Sequence, residues 1–146
     1  AGSKHTGGNI SLLMDIVDAT PGMAHFMVDS DIVTGALFGS PGYYSFIANT
    51  SPTFALAMMD ACSGGDWESA AEHARLCRRF FRRCLPMCSD INSSSALAKI
   101  ATAAGVFPGF PLAIKAPYTS GTQRHVDELR ALLESEFPEL IDSNLV

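Results

Sequence analysis

Positive charge is almost missing from the first part of this chain. Residues 1–66 hold a single lysine, Lys4, against six aspartates, whereas residues 67–146 set nine Lys/Arg against nine Asp/Glu, for a net charge of −5. An acidic first part with no basic stripe offers a phosphate backbone nothing to bind, so nucleic acid is excluded as the main partner. Long apolar runs are missing too. No stretch reaches the roughly 20 residues that a bilayer span requires, and no membrane role is expected. A basic segment leading into an apolar core, the mark of a secretory signal, is not visible at the start. There is no CxxC pair among the four cysteines. Cys77, Cys84 and Cys88 are spaced seven and then four apart on one helical face, and they read as small buried hydrophobes. His73, four residues before Cys77, keeps a metal reading open beside that one. With no disulfide pattern, a reducing cytoplasm is the expected compartment. Neither GxGxxG nor GxxxxGK[ST] occurs, so the glycines of "HTGGN" are not a phosphate loop.

What is present is an apolar chain of 146 residues, 47% hydrophobic, long enough for a core and sized as one domain or part of a larger one. "ISLLMDIVDA" places Ile10, Leu13, Met14 and Val17 at helical spacing behind an Asn9 cap, and "TPG" at 20–22 ends it. "MAHFMVD" reads as a strand running into a loop at Asp29–Asp31, "IVTGALF" as a short helix closed by the turn "GSPG", and "YYSFIA" as a further strand. Strands alternating with helices at this spacing predict parallel βα units.

From Ser51 onward the pattern is helical. Ser51 caps and Pro52 opens one helix, which stops at Gly64-Gly65. Asp66 caps a longer one with Ala70, Ala74, Cys77, Phe81 and Cys84 along a stripe. "SSSALAKIATAAG" makes a third, and "TQRHVDELRALLESEF" a fourth with Val126, Leu129, Leu133 and Phe137 inward. Between the last two lies a proline-rich connector. Arg78, Arg79, Arg82 and Arg83 fall on one solvated face, with Glu68 and Glu72 upstream as partners.

Three motifs in order carry a family resemblance. "GSKHTGGN" presents Gly2, Lys4, Gly8 and Asn9 in the pattern G-x-K-x-x-x-G-N; "GSPGYYSFIANTSP" follows; "GDWESA" then opens the long helix. Together, over residues 1 to about 140, they resemble the pyruvate-dependent class I aldolases, the dihydrodipicolinate synthase and N-acetylneuraminate lyase family. Ser3, His5 and Gly7 depart from its lysine motif, and Tyr43 and Tyr44 stand where smaller aliphatics are usual. "INSSS" replaces a customary Asn-Pro. These departures set the chain apart from dihydrodipicolinate synthase itself.

The resemblance implies an α/β fold, the C-terminal part of a (β/α)8 TIM barrel. About the last three strands would lie in residues 1–65, with a C-terminal helical region in 66–146. It implies that the chain belongs to a longer enzyme whose earlier strands are not in this sequence. It implies a lyase acting on pyruvate or another 2-oxo acid with an aldehyde or related acceptor, without metal or cofactor, in a homo-oligomer (dimer or tetramer). Lys4 would form the imine that serves as electron sink. Strand alternation puts Gly2, Lys4 and Thr6 on one face, toward the barrel interior, and His5 on the other, toward the helices. Thr6, Asp31 and Tyr44 are the implied substrate-binding positions. Asp31 reads equally as a helix N-cap, and Tyr44 as a core aromatic. The family's proton-relay tyrosine and carboxylate-gripping threonines come from earlier strands, so this piece alone is expected to be slow or inert. The reading from another class is a catalytically inactive helical interaction module whose strands pair with a partner chain.

Overall fold

The computed structural model describes residues 1–6, 8–39 and 42–142. Its elements run β1 (Gly2–Lys4), α1 (Ile10–Ala19), β2 (Ala24–Val28), α2 (Ile32–Leu37), β3 (Gly42–Tyr44), a 3-10 turn (Ile47–Asn49), α3 (Pro52–Gly64), α4 (Trp67–Met87), α5 (Ser94–Ala104), α6 (Gln123–Glu136) and a 3-10 turn (Pro138–Leu140). The residues divide into two compact units, one of residues 1–45 and 56–78, the other of residues 46–55 and 79–146, so α3 and α4 each contribute to both.

The first unit is built on a parallel sheet in the order β1-β2-β3. Lys4 lies opposite Phe26 on β2, and Val28 lies opposite Tyr44 on β3. Two βα connections give parallel neighbours, as the alternation of patterns predicts. Asn9 caps α1 by accepting from the Ser11 N–H at 2.9 Å. Burial alternates along β2: His25, Met27 and then Asp29 are buried, whereas Ala24 and Phe26 are exposed. The buried face meets α2, where any Cβ on Gly35 would stand 2.3 Å from Met27 Cγ. β3 approaches β2 so closely that a Cβ on Gly42 would sit 2.3 Å from the His25 carbonyl oxygen, a contact that only glycine avoids.

The expected strand "YYSFIA" is shorter than its composition suggests. It ends at Tyr44, and Ile47–Asn49 turn into a 3-10 helix. The Ser45 hydroxyl is drawn to Asp29, and the Ile47 carbonyl accepts from the N–H groups of both Thr50 and Ser51 at 2.8 Å. These hydrogen bonds thus outweigh β-propensity here. The expected "GSPG" turn includes Ser40 and Pro41, and Gly7 of the lysine motif likewise lies outside the described residues.

The second unit is helical. Phe80, fully buried, meets Phe137 edge-on with ring centroids 5.5 Å apart, and Ile47, Ile100, Leu133 and Leu140 are buried in the same unit. Phe81, expected on the buried stripe, is only half-buried; Phe80 takes that place. Arg130 ties the end of α5 to α6, donating to the carbonyls of Ala103 at 2.8 Å and Ala104 at 3.2 Å. A Cβ on Gly105 would stand 2.6 Å from Thr50 Cα, so the turn after α5 also needs glycine. Arg83 pairs with Glu136 of α6, at 3.0 Å from Nε, not with Glu68 or Glu72.

The start of α3 is capped twice. Ser51 Oγ accepts from the Phe54 N–H at 3.2 Å and donates to Asp142 Oδ1 at 3.2 Å, while Asp142 Oδ2 accepts from the Thr53 N–H at 3.0 Å. Asp142 is buried, with 8% exposure. Asp142→Ala removes both acceptors and is expected to cost about 1–2 kcal/mol, read as a lower urea midpoint. An unchanged midpoint would show that Ser51 alone satisfies this helix end.

Candidate active site

Parallel strands bring their C-terminal ends to one side of a sheet, and the sequence-expected site residues sit there. Lys4 is the last residue of β1, Asp31 follows β2, and Tyr44 is the last residue of β3. Gly2, Lys4, Phe26 and Tyr44 share one sheet face by register, since paired residues project to the same side. On that face Lys4 Nζ stands 3.6 Å from the centre of the Tyr44 ring. This is cation–π geometry, with the amine over the electron-rich face.

The face is open. Lys4 is exposed, as are Phe26 at 41% and Tyr44 at 55%. Gly2 and Thr6 are exposed as well, so the strand alternation expected from sequence is present while nothing among the described residues covers this face. Asp31 occupies the N-cap position of α2, yet its side chain makes no capping hydrogen bond. The structure therefore brings Lys4 and Tyr44 together and leaves Thr6 and Asp31 at the same end of the sheet.

The opposite face carries two polar clusters that sequence reasoning passed over. In the first, Asp29 Oδ1 accepts from the Tyr43 hydroxyl at 2.5 Å and the Ser45 hydroxyl at 2.6 Å. Burial pushes the Tyr43 hydroxyl far above its ordinary range, and the Asp29 charge and hydrogen bond add to the effect. Burial likewise pushes the Cys77 thiol up to about 12, with Asp29 contributing. The signal in the sequence was the period-two alternation of His25, Met27 and Asp29, which aims Asp29 at the helical layer and not into the loop.

In the second cluster His5 faces the helical side, as alternation predicts. Its Nε2 lies 2.9 Å from Ser3 Oγ and 3.1 Å from His25 Nδ1, and Ser3 Oγ is 2.9 Å from His25 Nδ1. His5 is thus tied up away from Lys4. Among the described residues, no group of three or more His, Cys, Asp or Glu is placed to hold a metal ion. The four cysteines are reduced and buried, and none pairs with another. No helix among the described residues is long and apolar enough to cross a membrane.

No protein-family model matches the chain, and no curated protein does. Solved structures do. The chain is similar to N-acetylneuraminate lyase from Fusobacterium nucleatum, with 14% identity and a TM-score of 0.66 over 95% of this chain and 44% of that one. It is similar to dihydrodipicolinate synthase from Bacteroides thetaiotaomicron, with 17% identity and a TM-score of 0.69 over 91% of this chain and 45% of that one. A third is YagE, a prophage protein of the dihydrodipicolinic acid synthase family from E. coli K12 in complex with pyruvate, with 19% identity and a TM-score of 0.68 over 91% and 45%. The chain spans less than half the length of these structures. At such identities the likeness establishes the fold: a parallel βα sheet with following helices that matches part of these enzymes.

Proposed function

We propose that this chain is the C-terminal part of a 2-oxo-acid lyase of the aldolase type, in which Lys4 is the Schiff-base residue. Residues 1–65 would be the last barrel segment and 66–146 the helical extension. The observation that carries the reading is Lys4 itself: it ends a strand at the sheet's C-terminal side, with its amine over the Tyr44 ring. The pyruvate described with YagE supports the substrate class.

In the proposed chemistry the neutral Lys4 amine attacks the keto carbon of pyruvate. The tetrahedral carbinolamine takes up a proton from solvent, loses water and leaves a protonated imine, which draws electrons from the adjacent carbon so that its C–C bond breaks or forms. The Tyr44 face, already placed against the Lys4 cation, would hold the cationic imine in the same way. Thr6 and Asp31 follow the ends of β1 and β2 and are the proposed substrate contacts.

The test is pyruvate with borohydride on the longer protein that contains residues 1–146, read by intact mass and peptide mapping. Lys4 is expected to be trapped in preference to Lys99 and Lys115, and Lys4→Ala to abolish the adduct. No adduct, or one spread evenly over the three lysines, would overturn the assignment. The open face at Phe26 and Tyr44 supports the second reading, a non-catalytic module that pairs with a partner. That reading predicts concentration-dependent association with no adduct.

A further inference from the structure

Helix α4 carries Arg75, Arg78, Arg79, Arg82 and Arg83, half of the ten Lys/Arg in the chain, and no lysine. All five are exposed, on the side of the helix away from Ala74, Cys77, Phe80 and Cys84, which are buried. The row is about 12 Å long. Residues three and four apart on a helix are neighbours, so Arg75 lies beside Arg78 and Arg79, and both of these lie beside Arg82. Their like charges repel. Among the described residues, only Arg83 of this row has a carboxylate: Glu136 accepts from its Nε at 3.0 Å and from a terminal nitrogen. Arg75, Arg78, Arg79 and Arg82 pair with no Asp or Glu among the described residues, although Glu68 and Glu72 belong to the same helix. Arg79 is instead held 5.8 Å from the centre of the Phe137 ring.

We propose that this row is a docking surface for a short acidic segment of a partner protein, a run of Asp and Glu side chains. In the free chain the clustered charges oppose one another, and carboxylates laid along them replace repulsion with attraction. Arginine offers a carboxylate a two-point fork on a weakly hydrated cation, which lysine does not, and it is the basic residue enriched at interfaces. Arg83 with Glu136 shows that fork already closed on this helix. Arg75 and Arg79, like Arg78 and Arg82, are about 6 Å apart along the axis. Alternate side chains of an extended acidic segment stand about 6.7 Å apart, close to that spacing. The row has few basic residues to extend it. Lys99, Arg124 and Arg130 are engaged by the Ala113 carbonyl, Glu128 and the end of α5. A nucleic acid or an anionic membrane would meet the chain's net charge of −5 over a far wider area than a short peptide does.

The surface is independent of the proposed lyase chemistry. Its test is fluorescence anisotropy of a fluorescein-labelled oligoglutamate peptide, with oligoglutamine as control, on the longer protein that contains residues 1–146. One equivalent of oligoglutamate is expected to bind, more weakly as salt is raised. Arg78→Gln with Arg82→Gln changes two exposed side chains and is expected to weaken binding about tenfold or more. The urea midpoint of that variant is expected to hold or rise, because repulsion leaves with the charges. Arg78→Lys with Arg82→Lys keeps the charge without the fork and is expected to lose about threefold. Lack of saturable binding, or binding untouched by the glutamine variant, would overturn the proposal. Tighter binding of an oligothymidylate or of phosphatidylserine vesicles than of the peptide would overturn it in favour of a phosphate-binding surface. Loss of binding together with a lower urea midpoint would overturn it by assigning the arginines to the fold.

Discussion

Asp29→Ala is expected to lower the free energy of unfolding by about 3 kcal/mol. Asp29 is 1% exposed, and one of its oxygens accepts short hydrogen bonds from both Tyr43 and Ser45. Hydrogen bonds to a charged acceptor are the stronger kind, and removing the acceptor leaves a buried phenol with the neutral Ser45 hydroxyl and the Met58 sulfur at 3.7 Å as its partners. The loss would also release the strand end that presents Tyr44 to Lys4, because Tyr43 and Ser45 flank it. Asp29→Asn keeps an acceptor oxygen in the same outline and is expected to cost about half as much. A double-mutant cycle with Tyr43→Phe should return a coupling of about 1–2 kcal/mol from urea unfolding. A cost for Asp29→Ala within about 0.5 kcal/mol would show that the cluster does not hold the sheet.

This fold is expected to lose stability in alkaline solution. Burial pushes the Cys77 and Cys84 thiols from an ordinary 9.0 up to about 12. Between those values the unfolded chain has released these protons and the folded chain has kept them. The unfolded state then binds fewer protons, so stability falls as pH rises. Each thiol contributes a slope of about 1.4 kcal/mol per pH unit, and the two together about 2.7. Tyr43, also raised by burial and by Asp29, joins above its ordinary value of 10.0. Urea unfolding at about pH 9 and pH 10.5 is expected to differ by about 4 kcal/mol. Cys84→Ala should remove about half of the thiol slope while changing stability at neutral pH far less. A flat profile from pH 9 to 10.5 would mean that these thiols ionise in the folded chain.

Local signals in the sequence determined the order of elements. Asn9, Ser51-Pro52 and Asp66 announce helix starts through caps that need only neighbouring residues, and the two βα repeats follow from changes in apolar period. The same alternation separates Lys4 from His5, because successive side chains on a strand must take opposite faces. The lysine motif, with its order relative to "GSPGYYSFIANTSP" and "GDWESA", also named a fold that the solved structures share.

Other features depended on residues far apart in the chain. That Tyr44 lies under Lys4 requires the register of three strands, which no local pattern states. Asp142 completes a helix start 89 residues away, at Thr53, and Arg83 finds Glu136 across 53. Composition favoured a longer strand after Tyr44, but hydrogen bonds from Ser45 to Asp29 and around Ile47 bent the chain away. Burial, too, was decided only in three dimensions. Alternation assigns a residue to a face, but the partner that covers the face has to come from elsewhere in space. For Lys4, Phe26 and Tyr44 no such partner lies within this chain's described residues, and their face stays open to water.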